Sequence, residues 1–108
     1  AARSVAVVGG GWIGLEVAAA ARGLGAAVVV LESQPRLCQR GVPPSVSDEL
    51  LELHRRAGVD VRLEVQLERI EPGTSSAVRL VLRGGEAVAE PVRGDDDDDH
   101  NLVITSST

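Results

Sequence analysis

The sequence predicts an α/β domain in which parallel strands alternate with helices. A short apolar run, Val5 to Val8, leads directly into three glycines and then into a helix-compatible segment from Trp12 to Leu24. A second apolar run, Ala26 to Leu31, is continuous rather than alternating, which is typical of a strand covered on both faces of a parallel sheet. Strand, glycine-rich turn, helix and strand together form a βαβ unit, for which a right-handed crossover is expected.

Length and composition indicate a single domain over residues 1–108. A chain of this length has room for one modest core. An apolar fraction of 44% is ordinary for a folded domain and argues against wholesale disorder. Trp12 is the only aromatic residue, so the core must be aliphatic. The net charge of −5 argues against a nucleic-acid partner, which would require a basic patch.

Cysteine content and hydropathy indicate the cellular compartment of the protein. Cys38 is the only cysteine, so neither an intramolecular disulfide nor a CxxC redox pair is available. We find no apolar run long enough to span a bilayer and no signal peptide. We therefore expect a cytoplasmic protein with no membrane partner. The chain begins without methionine, and we expect an excised or engineered piece of a longer protein.

Two helices are predicted from the 3.6-residue period. The first has an apolar face made by Ile13, Val17, Ala20, Ala21 and Leu24, with Gly23 and Gly25 as its C-terminal stop. A second helix follows a loop over residues 33–44, with Ser45 or Ser47 as its N-cap and Gly58 at its end. Its expected apolar face contains Val46, Leu50, Leu53, His54 and Ala57.

The period changes to two after Gly58. Apolar and polar residues alternate from Val59 to Glu68, which predicts a strand. Turns at Pro72-Gly73 and Gly84-Gly85 bound a second strand, and Ala87 to Val92 is expected to form a third. Closely spaced strands with tight turns predict a three-stranded antiparallel meander beside the parallel sheet.

The glycines after the first strand have the spacing GxGxxG. Gly9 allows a tight turn with positive φ, Gly11 leaves room for a pyrophosphate, and Gly14 lets the helix pack closely on the strand. The free N–H groups and the positive dipole end of the helix then face the anion. A lone GxGxxG is weak evidence, but its place between a strand and a helix predicts a dinucleotide-binding turn.

Glu32 follows the second strand, at the position where an acidic side chain accepts hydrogen bonds from the adenosine ribose hydroxyls. A carboxylate at this position would repel the 2′-phosphate of NADP, so it predicts a preference for NAD. The alternative is a solvated glutamate at a strand end. In the following loop Ser33, Gln34 and Arg40 are candidates for the edge of an adenine pocket, with a polar surface loop as the alternative.

No catalytic or metal-binding residue is predicted. We expect Cys38 to be an inert small hydrophobe and His54 to be a packed or rim histidine. The run Asp95 to Asp99 with His100 is expected to form a solvated acidic loop over residues 95–101. A weak divalent-metal site there is the alternative, although one run of carboxylates lacks the convergent geometry that selects a metal.

The stretches GGGWIGLEVAAAARGLGAAVVVLESQPRL and PPSVSDELLELHRRAGVDVRL resemble the NAD-binding domain of the pyridine nucleotide–disulfide oxidoreductase superfamily. Within it they resemble especially the flavoprotein ferredoxin reductases of oxygenase systems. The resemblance covers about residues 3–92. It implies a Rossmann-like three-layer domain: a parallel sheet with helices on one side and a three-stranded antiparallel meander on the other. In that family the domain is inserted into an FAD-binding domain.

The resemblance also implies roles for individual residues. It places Gly9, Gly11 and Gly14 at the pyrophosphate and Glu32 at the adenosine ribose. It places Trp12 near the nicotinamide side and Glu16 near the nicotinamide amide; the alternatives are a packing residue and a helix-surface charge. The complete set of candidate cofactor contacts is Gly9, Gly11, Trp12, Ile13, Gly14, Glu16, Glu32, Ser33, Gln34 and Arg40.

One departure from the family pattern concerns the end of the chain. The family's last strand runs into a glycine-containing turn against the nicotinamide, whereas residues 102–108 contain no glycine. The sequence contains no second dinucleotide motif, no redox-active cysteine pair and no Ser/His/Asp or paired-acid arrangement, so we expect a domain that binds NAD(H) without completing a reaction. FAD and a ferredoxin-type electron acceptor would belong to the parent protein. The alternative is a Rossmann-like scaffold domain that no longer binds the cofactor productively.

Overall fold

The computed structural model describes residues 4–72, 78–84 and 101–105. Its elements are β1 (Ser4–Val8), α1 (Trp12–Gly23), β2 (Ala27–Leu31), α2 (Pro44–Arg56), β3 (Asp60–Arg62), β4 (Leu67–Pro72), β5 (Val78–Leu82) and β6 (Asn101–Thr105). The predicted α/β class is confirmed. Neither helix in these residues is long and apolar enough to cross a membrane.

Four of the described strands form a parallel sheet in the order β3-β2-β1-β6. In this sheet Val8, the last residue of β1, pairs with Leu31, the last residue of β2. Each connection from β1 to β2 and from β2 to β3 contains a helix, as parallel strands require. The register places the turn that follows β1 and the loop that follows β2 side by side at the carboxyl edge of the sheet.

The two faces of the sheet are covered differently. Val7 and Val30 are fully buried in the core cluster that includes residues of α1. Their neighbours Ala6 and Leu31 point to the opposite face, because side chains alternate along a strand. There they pack against Leu80 of the antiparallel β4–β5 hairpin. The described residues thus form three layers: helices, parallel sheet and hairpin.

The predicted strand over residues 59–68 is wrong as a single element. Residues Asp60–Arg62 pair with β2 as the edge of the parallel sheet, whereas Leu67–Pro72 pair with β5. Between them Glu64 adopts a φ of 58°, which turns the chain out of the strand. Its N–H and that of Val65 bond to the carbonyls of Gln34 and Glu32 instead of a strand partner.

The antiparallel element therefore has two strands among the described residues, where three were predicted. The predicted third strand at 87–92, residues 95–100 of the predicted acidic loop, and residues 73 and 85 of the two predicted turns lie outside the described residues. Asn101, the last residue of that predicted loop, is the first residue of β6. Gly84 forms a turn with a φ of 98°, as expected for the end of β5.

The predicted buried face of α1 is correct for Val17 and Ala21, which are partly buried against the core, and wrong for its other three residues. Ile13 and Leu24 are 66% and 89% exposed, and Ala20 is also exposed, while the buried residues are Gly14, Leu15 and Ala18. Small residues at positions i and i+4 bring the helix axis close to β1, and this close approach selects the face. Large apolar side chains beside it are consequently left in solvent.

The predicted serine N-caps of α2 are also wrong. Pro43 occupies the N-cap position and Pro44 the first helical position, where a fixed φ near −65° suits a helix start. Ser45 is exposed and Ser47 is buried inside the first turns. The packed face consists of Ser47, Leu50, Leu51 and His54; Val46, Leu53 and Ala57 of the predicted face are exposed.

His54 lies half-buried between the two helices, in the packed position that was predicted. Its Nδ1 is 2.8 Å from the Leu50 carbonyl oxygen, and its Nε2 is 3.3 Å from that of Leu15 in α1. The predicted end of α2 is confirmed: Ala57 is the C-cap, and Gly58 follows with a φ of 97°.

Candidate functional site

The glycine-rich turn after β1 has the backbone geometry that its sequence predicts. Gly9 has a φ of 108°, and its N–H donates to the Leu31 carbonyl at 2.8 Å. A Cβ on Gly14 would lie 2.2 Å from the Gly9 carbonyl oxygen and 3.0 Å from a Val7 methyl. Only glycine therefore fits where α1 crosses the turn.

Gly11 is the N-cap of α1, and no side chain caps this helix end. The first helical hydrogen bond runs from the Leu15 N–H to the Gly11 carbonyl at 2.9 Å. The N–H groups of the first turn therefore have no partner within the helix, and no acidic side chain in that turn competes for them. This end of α1 faces the carboxyl edge of the sheet, where it can receive an anion.

Glu32 is 8% exposed and joins the two neighbouring chain segments at this edge. Its Oε1 accepts the Gly10 N–H at 2.7 Å, and its Oε2 accepts the Gln34 N–H at 2.9 Å. The Ser33 hydroxyl also donates to Oε2, at 3.4 Å. These three hydrogen bonds fix the carboxylate in place. Because an ionised carboxylate has about four acceptor sites, it can still accept from a ligand hydroxyl.

A cavity of about 780 Å³ opens at this edge. Seven of the predicted contacts lie on its wall: Gly9, Gly11, Trp12, Glu32, Ser33, Gln34 and Arg40. Three do not: Ile13 and Glu16 are exposed on α1, and Gly14 is buried behind Gly9. The sequence thus predicted seven residues of this cavity wall, while cofactor contact remains a prediction for each of the ten residues.

Other residues on the cavity wall were not anticipated. They are Val8, Gly10, Leu31, Cys38, Gln39, Gly41, Val65, Gln66 and Leu67. Gly10 is the middle glycine of the GGG run, and a Cβ there would lie 2.6 Å from Leu37 Cδ2. The run of three consecutive glycines is the sequence feature that could have identified Gly10 as part of the site. Residues 65–67 reach the site because the chain turns at Glu64, which an alternating pattern cannot reveal.

Cys38 lies on the cavity wall with its side chain 6% exposed. Burial raises the pKa of its thiol, and the nearby Glu32 carboxylate raises that pKa further. The thiol is therefore held protonated and is a poor nucleophile, which agrees with the inert role predicted for it.

The chemistry available at the cavity is that of recognition. Among residues 4–72, 78–84 and 101–105 no group of three or more histidine, cysteine or acidic side chains is placed to hold a metal ion. The cavity offers backbone N–H groups at a helix end, one fixed carboxylate and the half-exposed indole of Trp12. These groups suit an extended ligand that carries both an anion and hydroxyl groups.

A parallel sheet, a glycine-rich turn at a helix N-terminus and an acidic residue after the second strand define a Rossmann-type domain. The chain belongs to the pyridine nucleotide-disulphide oxidoreductase family, whose model matches residues 1–94. The predicted family resemblance is confirmed.

Proteins similar to this chain include reductase components of oxygenase systems. It is 54% identical over 94 residues to the ferredoxin–NAD(+) reductase component of the p-cumate 2,3-dioxygenase system of Pseudomonas putida, covering 85% of this chain and 22% of that protein. The ferredoxin reductase for the CYP199A2 system of Rhodopseudomonas palustris superposes with a TM-score of 0.81 at 31% identity, over 98% of this chain and 24% of that one.

A further similar structure is putidaredoxin reductase in its covalent complex with putidaredoxin. It has a TM-score of 0.74 and 31% identity, over 95% of this chain and 23% of that one. The chain thus spans less than a quarter of the length of these relatives. These likenesses do not favour the alternative of a scaffold domain without a cofactor.

Proposed function

We propose that this chain is an NAD(H)-binding domain, with the pyrophosphate at the N-terminus of α1 and the adenosine ribose at Glu32. The observation that carries the proposal is the adjacency of the two groups: the Gly10 N–H donates directly to the Glu32 carboxylate at 2.7 Å on one cavity wall. An anion site and a hydroxyl acceptor are thereby set side by side, as a dinucleotide requires.

The residues present fit the cofactor. The cavity of about 780 Å³ falls in the range of sites that enclose small ligands. The glycines at positions 9–11 bring backbone rather than side chains to the expected position of the phosphates. Behind the turn, a Cβ on Gly10 would collide with Leu37. The Glu32 carboxylate also disfavours a 2′-phosphate by charge repulsion, which supports NADH over NADPH.

In the parent protein we propose an FAD-dependent NADH oxidoreductase of the ferredoxin reductase type. NADH would supply a hydride to a flavin held outside this chain. The support comes from the relatives, which are named as ferredoxin–NAD(+) reductases, and from the neighbour solved with putidaredoxin. A ferredoxin-type acceptor is therefore the proposed partner, and the contribution of this chain is to bind and orient the nicotinamide dinucleotide.

Trp12 supplies a direct assay of cofactor binding. It is the only aromatic residue of the chain and lies on the cavity wall, so its emission reports on that site alone. Titration with NADH should quench this emission, and calorimetry should rank NADH above NADPH, FAD and ATP. Absence of heat and of quenching with every dinucleotide would overturn the proposal.

Replacing Glu32 with alanine tests the ribose contact. We expect Glu32→Ala to weaken NADH binding about tenfold or more, because hydrogen bonds to a charged group contribute about 1.5–3 kcal/mol. The preference for NADH over NADPH should also relax. Glu49→Ala, which removes an exposed carboxylate of α2, is the matched control. An unchanged preference in calorimetry with both dinucleotides would remove Glu32 from the site.

A further inference from the structure

The loop from Arg36 to Val42, here called the cavity loop, forms one wall of the site without being a helix or a strand. Its residues 38–41 line the cavity, and the Cys38 N–H donates to the Gly10 carbonyl at 2.9 Å. Cys38 has a φ of 51°, an unfavourable conformation for a residue with a Cβ. Other contacts must therefore hold the cavity loop in place.

The Arg36 side chain spans the cavity loop from behind. Its Nη1 donates to the Val42 carbonyl at 2.9 Å and to the Ser47 hydroxyl at 3.1 Å. Its Nη2 donates to the Gln39 carbonyl at 3.3 Å. A planar guanidinium with several fixed donors can bond to two parts of one turn and to a neighbouring helix at the same time.

Ser47 connects this cluster to α2. It is 1% exposed, and its hydroxyl donates to the Leu37 carbonyl at 2.5 Å. Since a hydroxyl has one hydrogen, the oxygen of Ser47 must accept from Arg36, which gives a directional chain from guanidinium to hydroxyl to carbonyl. The side chain of Leu37 in turn packs directly behind Gly10. The helix, the cavity loop and the glycine-rich turn are thus held in one register.

We infer that Arg36 and Ser47 are positioning residues that hold the cavity loop in its binding conformation. Neither side chain lies on the cavity wall, so both act through the loop backbone. Their effect on NADH rests on the proposed function. Their effect on the conformation of the loop does not rest on it, because Cys38 alkylation and Trp12 emission report that conformation without any ligand. The Trp12 indole nitrogen lies 3.6 Å from the Cβ position of Gly41 and therefore senses the loop.

The test compares two arginines that clamp backbone carbonyls in different places. Arg36→Lys keeps the positive charge but loses the fork. Arg22→Lys is the matched control, because Arg22 donates to the Ala57 carbonyl at 2.9 Å and the Ala26 carbonyl at 3.0 Å, and it does not line the cavity. Both variants are compared with the unmodified chain at temperatures well below their melting points.

Three quantities are measured on each protein: the NADH dissociation constant, the rate of Cys38 alkylation by iodoacetamide, and the quenching of Trp12 emission by acrylamide. We expect Arg36→Lys to weaken NADH binding about tenfold, the equivalent of one to two lost hydrogen bonds. Alkylation of Cys38 should become faster, and acrylamide should quench the Trp12 emission more strongly. Arg22→Lys should leave all three close to the unmodified values even where it lowers the melting temperature equally.

Equal changes in the two arginine variants would overturn the inference, because they would show only a general loss of stability. Should Arg36→Lys fail to fold, Ser47→Ala against the exposed Ser45→Ala repeats the comparison with a smaller change. Faster Cys38 alkylation only in the Arg36 and Ser47 variants, in a chain that binds no NADH, would uphold the positioning role and refute the proposed function.

Discussion

Gly14 marks the point at which one methyl group decides whether α1 can pack on β1. The atoms that a Cβ would meet belong to the Gly9 carbonyl, 2.2 Å away, and to Val7, 3.0 Å away. A backbone carbonyl cannot rotate aside as a flexible side chain can. The glycine is thus required by packing, whatever the chain binds.

Gly14→Ala should destabilise the fold by about 1–3 kcal/mol or more, the usual range for overpacking a tight contact. Gly23→Ala, in the same helix with nothing within 4 Å of its Cβ position, should be neutral or stabilising by up to about 1 kcal/mol. Urea denaturation measures both. Equal effects at the two positions would contradict the close contact at Gly14.

Cys38 gives the chain a pH dependence that can be assigned to one residue. Burial and the Glu32 carboxylate raise the pKa of its thiol in the folded state. In the unfolded chain the thiol ionises near its ordinary pKa of about 8.5. Above that pH the folded state keeps a proton that the unfolded state has lost. The free energy of unfolding therefore falls as the pH rises from about 8.5 towards the folded pKa.

The pH dependence of stability can be assigned to Cys38 because the chain has no lysine and no tyrosine, the other side chains that titrate in this range. Denaturation curves from pH 8 to 11 should show stability declining for the unmodified chain and much less for Cys38→Ala. Parallel profiles for the two proteins would show that the thiol pKa is not raised by folding.

At the scale of elements, α1 shows how a helix face is chosen. Leu15 within the helix is 2% exposed, whereas Leu24, the C-cap residue that follows it, is 89% exposed, although hydropathy treats the two leucines alike. The close contact at Gly14 fixes the rotation of the helix about its axis, and Leu15 is carried into the core with it. This rotation also determines which of the other large side chains of the helix face solvent.

We expect Leu15→Ala to cost about 2–5 kcal/mol, the range for a buried leucine, and Leu24→Ala to stay within about 0.5 kcal/mol of the unmodified chain. Chemical denaturation of the two variants provides the measurement, and each serves as the control for the other. A larger loss of stability in Leu24→Ala than in Leu15→Ala would instead support the buried face that periodicity alone predicts.

The same contrast explains what the sequence could and could not predict. Strands β1 and β2 and the glycine turn follow from local pattern, since apolar runs and glycine spacing act over a few residues. The break at Glu64 depends on hydrogen bonds from residues 64 and 65 to a loop 30 or more positions earlier, and no local pattern contains them. The same limit applies to Ser47, whose partners are Arg36 and Leu37 rather than its own helix end.

Across the whole molecule, the candidate site is where three separate segments of the chain meet. The turn after β1, the cavity loop after β2 and the connection at 65–67 that leads into the hairpin each supply part of the wall. The first two segments extend from the central strands β1 and β2 of the parallel sheet, and the third leads into the hairpin. The order of the strands, more than any single residue, therefore sets the positions of the binding groups.

This arrangement predicts an order of local stability. Strands β1 and β2 each lie between two neighbours in the parallel sheet, whereas β4 and β5 pair only with each other among the described strands. The hairpin is attached to the sheet through a small apolar cluster in which Leu80 and Leu82 pack on Ala6 and Leu31. We expect the hairpin to open without unfolding the sheet, because it can separate without breaking sheet hydrogen bonds.

Native-state hydrogen exchange followed by NMR tests this order. Amides of β1 and β2 should exchange slowest, at the rate set by global unfolding, and amides of β5 at least about tenfold faster through local opening. Low concentrations of urea should leave the faster class little changed while accelerating the slowest class, since only global unfolding exposes the full buried surface. If β5 exchanges at the rate of β1 and with the same urea dependence, the three layers unfold as one cooperative unit and the hairpin is an integral part of the core.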